Sequence, residues 1–122
     1  MTLKILAIDD SRTIREMLRL ALEGAGFDVH LANDGQEGVE ALPRIAPDIV
    51  ITDINMPRLD GFGVIDAIRG GAVLNALPIL VLTTESAQEL KDRARQAGAT
   101  GWIVKPFDDA KLISAIRRIA AV

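Results

Sequence analysis

The sequence has no cysteine, one histidine, and only 3% aromatic residues in a chain of 122. Without cysteine there can be no disulfide framework, thiolate zinc site, iron–sulfur cluster or cysteine nucleophile. The lone His30 cannot furnish a site that needs two imidazoles. Basic residues are not in excess, since 14 Lys and Arg face 17 Asp and Glu for a formal net charge of -3. That balance argues against a dedicated nucleic-acid binder. Long apolar runs are missing too. The opening run Leu3-Lys4-Ile5-Leu6-Ala7-Ile8 is too short for a signal-peptide core and runs straight into Asp9-Asp10. No run approaches the roughly 18 residues of a membrane span. The expected location is the cytoplasm, with no membrane partner. There is no repeat, low-complexity tract or linker, and the length fits one domain. A chain of this size buries roughly two-thirds of its unfolded surface. Its 49% apolar content can fill a core without staples.

What is present is an alternation of short apolar runs and longer helix-like stretches. The runs Ile5-Leu6-Ala7-Ile8, Ile49-Val50-Ile51, Ile79-Leu80-Val81-Leu82 and Trp102-Ile103-Val104 are rich in Ile and Val and barely alternate. That is the pattern of parallel strands covered on both faces. Val29-His30-Leu31 alternates, which predicts an edge strand. Ile14, Met17, Leu18, Ala21 and Leu22 follow the spacing of one buried helical stripe. Asp10 or Ser11 can cap that helix and Gly24 can end it. Leu112, Ile116, Ile119 and Ala120 form a similar stripe in the last helix. The stretch Ser86 to Ala97 is thinner, with Ala87, Leu90, Ala94 and Ala97 facing inward. So little apolar area predicts a loosely anchored, movable helix. Pro43 should kink the second helix or end it early. Five strands alternating with five helices predict an α/β fold, a doubly wound five-stranded parallel sheet flanked by five helices. The strand order 2-1-3-4-5 is taken over from known sheets of this kind rather than derived.

The polar residues fall at telling places. The first, third, fourth and fifth strands end in Asp9-Asp10, Asp53, Thr83 and Lys105. In an open parallel sheet those ends share one edge, where ligands bind beside the switch in strand order. Carboxylates gathered there repel one another unless something positive joins them. Lys105 supplies one charge. A divalent cation would supply two, and hard oxygen donors suit Mg²⁺, which keeps open positions for phosphate oxygens. A hydroxyl and an ammonium are what a phosphoryl group needs on its other side. The constellation therefore reads as a carboxylate that accepts a phosphoryl group, and Asp is a known nucleophile of this kind.

At this point the residues resemble a known family, the receiver domains of bacterial two-component signalling, or CheY-like response regulators. The matching pieces are Ile8-Asp9-Asp10-Ser11, Thr52-Asp53-Ile54-Asn55-Met56-Pro57 with Asp60-Gly61, Leu82-Thr83-Thr84, Gly98-Ala99 and Val104-Lys105-Pro106-Phe107. Together they are highly specific, and the resemblance spans residues 1–122. It implies a flavodoxin-like, CheY-like fold. It implies Asp53 as the phosphoacceptor, and Asp10, Asp53 and the Asn55 backbone carbonyl as direct Mg²⁺ ligands, with Asp9 acting through a metal-bound water. Lys105 would pair with phosphoryl oxygens, Thr83 would hydrogen-bond them, and the Lys105-Pro106 bond would be cis. Trp102 stands at a switch position where the family usually has Tyr or Phe. Its extra bulk bears on whether it rotates fully inward. Asn55 and Glu85 stand where the family tunes phosphate lifetime. The same residue pair occurs in chemotaxis regulators with short-lived phosphate, which predicts fast self-dephosphorylation. Thr84 is larger than the Ala or Gly often found there, and narrows access for a donor or phosphatase.

The resemblance implies a phosphoacceptor signalling protein, catalysing only its own phosphorylation and dephosphorylation. Its phosphodonor would be a histidine kinase, and Arg12, Arg15 and Arg19 lie near the surface by which the family meets that donor. The chain stops after the fifth helix, so the expectation is a stand-alone receiver domain with no output domain, monomeric, acting through a protein target. The surface for that target would be the fourth helix, fifth strand and fifth helix, carrying Lys91, Arg93, Arg95, Trp102, Lys111, Arg117 and Arg118. In chemotaxis the target would be the flagellar motor switch. A phosphate sink or phosphorelay intermediate is the alternative. From other classes, a small aspartyl-phosphate phosphatase of the dehalogenase type and a flavodoxin-like cofactor module stay open. The first wants Asp-x-Asp where Asp9-Asp10 are adjacent. The second wants a phosphate loop where two carboxylates stand.

Overall fold

The computed structural model describes residues 2–72 and 75–120. Its strands are β1 (Lys4–Ile8), β2 (Asp28–Ala32), β3 (Ile49–Thr52), β4 (Ile79–Thr83) and β5 (Gly101–Val104). Its helices are α1 (Arg12–Gly24), α2 (Gly35–Ile45), α3 (Gly61–Arg69), α4 (Gln88–Ala97) and α5 (Asp109–Ile119). The strands form one sheet in the order β2-β1-β3-β4-β5, and every pairing is parallel. This is the expected doubly wound arrangement.

The unbroken apolar runs are explained by two cores, one on each face of the sheet. Leu6, Ile8, Val50 and Val81 join residues of α2, α3 and α4. Ile5, Ala7, Ile49, Ile51, Leu80 and Leu82 join residues of α1 and α5. Successive strand residues point to opposite faces, so a strand packed on both sides must be apolar throughout. β2 bonds only to β1, as its alternation predicted. β5 is the other edge, and this corrects the reading of Trp102-Ile103-Val104 as covered on both faces. Its residues are half-buried or exposed because no strand among the described residues lies beyond them.

Of the two expected caps of α1, Ser11 serves, accepting from the Ile14 N–H at 3.3 Å. Three local expectations need correction. Met17 leaves the predicted stripe and is 43% exposed; the helix rests on a narrower seam of Leu18 and Leu22. α1 does end at Gly24, as expected, and the chain turns at Gly26 with φ +92°. Pro43 does not stop α2, which continues to Ile45. Within the last turn a proline forfeits one hydrogen bond, while buried Leu42 and Ile45 hold the turn on the core. In α4 the helix starts at Gln88, Ala87 is exposed at its N-cap, and Ala94 alone is buried. Leu90 and Ala97 pack only partly against the core.

Candidate functional site

The strand registers set the site. Ile8 pairs with Thr52, so the residues after them, Asp9 and Asp53, emerge side by side. The Asp53 N–H donates to the Ile8 carbonyl at 3.0 Å. Thr83 pairs with Val104, and the Lys105 N–H donates to the Thr83 carbonyl at 2.8 Å. Lys105 then reaches across the sheet edge. Its Nζ donates to Asp9 Oδ2 at 2.7 Å and to Asp53 Oδ2 at 2.8 Å. The other oxygen of each carboxylate takes a backbone donor: Asp9 Oδ1 accepts from the Ser11 N–H at 2.9 Å, and Asp53 Oδ1 from the Ile54 N–H at 2.6 Å. The Lys105-Pro106 peptide is cis.

Both carboxylates are buried, Asp9 at 1% exposure and Asp53 at 8%. Burial disfavours charge, and it lifts Asp9 above the ordinary carboxylate value against the pull of Lys105 and the Ser11 N–H. Burial also pulls on Lys105, in the downward direction. Its hydrogen bonds to Asp53 and Asp9 and their charges outweigh that, so the ammonium is held above its ordinary value.

Asp10 is exposed at the rim. Oxygens of Asp9, Asp10 and Asp53 lie within 4.8 Å of one another. The donor set fits a hard divalent cation: three carboxylates against one ammonium leave a formal excess of two negative charges. Beside them, the Asn55 carbonyl accepts no described backbone hydrogen bond.

A second group of residues adjoins the first, centred on Glu85. Its N–H donates to Thr83 Oγ1 at 3.3 Å. Its carboxylate accepts from Asn55 Nδ2 at 2.8 Å. Its carbonyl accepts the Trp102 indole N–H at 3.1 Å. Trp102 is half-buried and packs against the core on the α2–α3–α4 face. The site residues expected from the sequence thus form two linked clusters, joined by the Lys105–Thr83 backbone bond.

Residues 5–117 match the response regulator receiver domain family. The chain belongs to this family. Among its relatives, the response regulator MprA of Mycobacterium leprae is 41% identical over 117 residues, 96% of this chain and 50% of that protein. The chain spans about half the length of the curated relatives it matches. The chemotaxis protein CheY4 of Vibrio cholerae superposes with a TM-score of 0.93 at 39% identity, covering 98% of this chain and 99% of that one. The receiver domain of the sensor histidine kinase PA1611 of Pseudomonas aeruginosa superposes at 0.91 with 27% identity over 100% of both chains, and carries a magnesium ion in its active-site cleft. Membership sets aside the phosphatase and flavodoxin-type alternatives. A receiver domain is a phosphoacceptor signalling fold, with an acidic pocket for Mg²⁺ and a histidine kinase as phosphodonor. No helix among the described residues is long and apolar enough to cross a membrane.

The arginines of this receiver domain are less free than their spacing suggests. Arg15 donates to the Asp9 carbonyl at 2.7 Å, so it braces the strand end that presents Asp9 and Asp10. Sequence reading placed it on the donor surface. Its signal was its place one turn past the Ser11 cap, on the side of the helix facing back toward β1. Arg19 pairs with Glu16 and Glu23, leaving Arg12 exposed near the rim. Arg93 lies over the Phe62 ring of α3 at 3.8 Å, and Arg117 lies 5.7 Å from the Phe27 ring. Both rings belong to residues outside the face assigned to these arginines. Lys91 and Arg95 line one cavity beside Trp102, of about 260 Å³. Lys111 and Arg118 line another. Also absent from the sequence reading are the Ser11 and Ile54 N–H donors, which any residue could supply and no motif reveals.

Proposed function

We propose that Asp53 accepts a phosphoryl group from a phosphohistidine of a sensor kinase, and that the product alters a protein-binding face built from α4, β5 and α5. The observation that carries this reading is Lys105 Nζ held between the Asp9 and Asp53 carboxylates, at the mouth of a three-carboxylate cluster. An oxygen of Asp53 attacks phosphorus and forms an O–P bond. The P–N bond to the donor imidazole breaks, its electron pair stays on nitrogen, and that nitrogen takes a proton. Lys105 is placed to follow the phosphoryl oxygens as charge moves onto them. Asp10, Asp53 and the Asn55 carbonyl are the donors that would hold Mg²⁺, with Asp9 at one remove. When bound, the metal neutralises charge on the transferring group.

Thr83 is the residue positioned to sense the product. Among the described residues its hydroxyl is engaged only by a long bond from Glu85 N–H, so turning toward a phosphoryl oxygen costs little and frees the loop leading to α4. Trp102 reads the same loop through the Glu85 carbonyl. Hydrolysis reverses the chemistry: water attacks phosphorus, the O–P bond breaks, and Asp53 regains its carboxylate as inorganic phosphate leaves. Asn55 and Glu85, bonded to each other beside that path, would set the rate. Replacing both should change the decay rate, and an unchanged rate would remove them from that role.

The output we favour is regulation of chemotaxis through the flagellar motor switch. It is supported by the end-to-end similarity to the Vibrio chemotaxis protein. The likeness to the receiver of a sensor histidine kinase favours a second reading, a phosphorelay intermediate or phosphate sink. Intact mass after incubation with Mg²⁺ and acetyl phosphate tests the shared chemistry. A phosphoryl adduct is expected, absent in Asp53→Asn. No adduct from either acetyl phosphate or a phosphorylated kinase would overturn it. Transfer of the group onward to a histidine phosphotransfer protein, without binding to a motor component, would select the relay.

A further inference from the structure

We infer that Arg69 is a pin that fixes the C-terminal end of α4, so that α4 moves, when it moves, by hinging about Gly98 with its N-terminal half free. The clause about movement rests on the reading above; the pin itself does not.

The two ends of α4 are held very differently. At the N-terminal end, Ala87 offers no side-chain cap and is exposed, as are Gln88 and Glu89. An uncapped helix start leaves its first N–H groups to solvent and frays readily. At the C-terminal end the backbone turns at Gly98 with φ +115°. The Gly98 N–H returns to the Ala94 and Arg95 carbonyls, and the Ala99 N–H to Ala94. Thr100 then locks to β4 twice: its N–H donates to the Ile79 carbonyl at 2.8 Å, and its Oγ1 accepts the Ile79 N–H at 3.1 Å.

Arg69, the last residue of α3, completes this anchor. Its Nε and Nη2 both donate to the Gly98 carbonyl, at 3.0 and 2.7 Å. Its Nη1 donates to the carbonyls of Asn75 and Leu77, at 2.9 and 2.7 Å. One guanidinium thus ties the end of α3, the approach to β4 and the end of α4 to a single point. It has no carboxylate partner among the described residues. Burial pulls its proton affinity below the ordinary arginine value, yet arginine stays charged, and its rigid fork matches several carbonyls at once. The fit also needs glycine, because a Cβ at position 98 would meet Arg69 Nε at 2.7 Å. Lysine carries the charge, but its donors sit on one compact nitrogen and lack the planar fork that reaches three carbonyls.

Residue-resolved hydrogen exchange of the full chain tests the pin. In the unphosphorylated protein the Gly98 and Ala99 amides should exchange at least about ten-fold more slowly than those of Lys91 and Asp92. Arg69→Met should speed Gly98 and Ala99 by about ten-fold beyond any change at Leu6 and Val50, which report global opening. Arg69→Lys should give an intermediate effect, and it serves if the Met variant fails to fold. Equal exchange at the two ends, or variants whose only change is the global one, would overturn the pin. In the wild-type protein carrying a phosphoryl adduct verified by mass, exchange should change at Lys91 and Asp92 and hold at Gly98 and Ala99. Equal change at both ends would overturn the hinge. Failure to form any adduct would count against the phosphoacceptor reading, while the exchange in the unphosphorylated protein still decides the pin.

Discussion

Replacing Lys105 with Met should expose how much of this domain's stability is set against the charge of its acidic cluster. The ammonium contacts two carboxylates, at 2.7 and 2.8 Å, and Met leaves an apolar side chain of similar length there. Two hydrogen bonds to charged groups are lost, each worth about 1.5–3 kcal/mol. The acidic oxygens lie within 4.8 Å of one another, where two like charges repel by about 3.5 kcal/mol at an effective dielectric of about 20. Buried pairs broken from one side lose about 3–5 kcal/mol. A proton on one carboxyl limits the loss, so about 3 kcal/mol is expected at pH 8 without metal. That corresponds to a fall in Tm of roughly 10 °C.

The pH dependence has a definite sign. Asp9 is already raised in the folded protein, by burial that exceeds the pull of Lys105. A carboxyl raised above its unfolded value contributes stability below that value and loses it as pH rises through the folded value. Without Lys105 the raise grows, so the penalty of the variant should be small near pH 4 and grow toward pH 8. Lys105 itself is raised, so its own contribution persists up to 10.5 and fades as pH rises through its higher folded value. Urea unfolding in EDTA, followed by far-ultraviolet circular dichroism across this range, measures all of it. Added Mg²⁺ should recover part of the loss in the variant. A penalty under about 1 kcal/mol at pH 8, or one equal at pH 4 and pH 8, would refute the electrostatic account.

Other perturbations have equally definite outcomes. Gly61→Ala would drive a methyl into the Asp53 carbonyl oxygen and to 2.8 Å from Ile54 Cα. It should cost about 1–3 kcal/mol and weaken Mg²⁺ binding; wild-type values in denaturant and metal titrations would contradict the tight fit. Trp102→Phe removes the donor to the Glu85 carbonyl. It should cost about 1 kcal/mol and leave the yield of phosphoryl adduct, read by mass, unchanged; a lowered yield would place Trp102 in the acceptor chemistry itself. Asp34 caps α2 by accepting the Glu37 N–H and also pairs with Arg58, which together hold its carboxyl below the ordinary 3.8. A lowered carboxyl contributes above its unfolded value and fades as pH falls through the folded one. Asp34→Asn should therefore flatten the acid limb of the stability curve below pH 3.8, and an unchanged limb would mean the cap carries no charge dependence.

Much was legible in the chain because strands buried on both faces must be apolar and parallel strands bring their C-terminal ends to one edge. The runs ending in Asp9, Asp53, Thr83 and Lys105 needed only parallel pairing to converge. What failed was local and depended on neighbours. Met17 fits a helical stripe by spacing, but the seam beneath α1 is too narrow to cover it. Pro43 reads as a breaker, but the core holds its turn in place. Arg93 and Arg117 read as part of one basic face, but rings outside it lie against them, Phe62 of α3 and Phe27 just before β2.

The sequence by itself determined the alternation of elements, the two-sided core and the inventory of the acidic site, because these follow from residue type and period. Only the tertiary structure decided which polar atoms meet. Lys105 bridges Asp9 and Asp53 across 96 and 52 residues of chain, and Arg69 grips a carbonyl 29 residues away. Such contacts rest on strand register and helix placement, which are set by packing of the whole chain and leave no trace in local spacing.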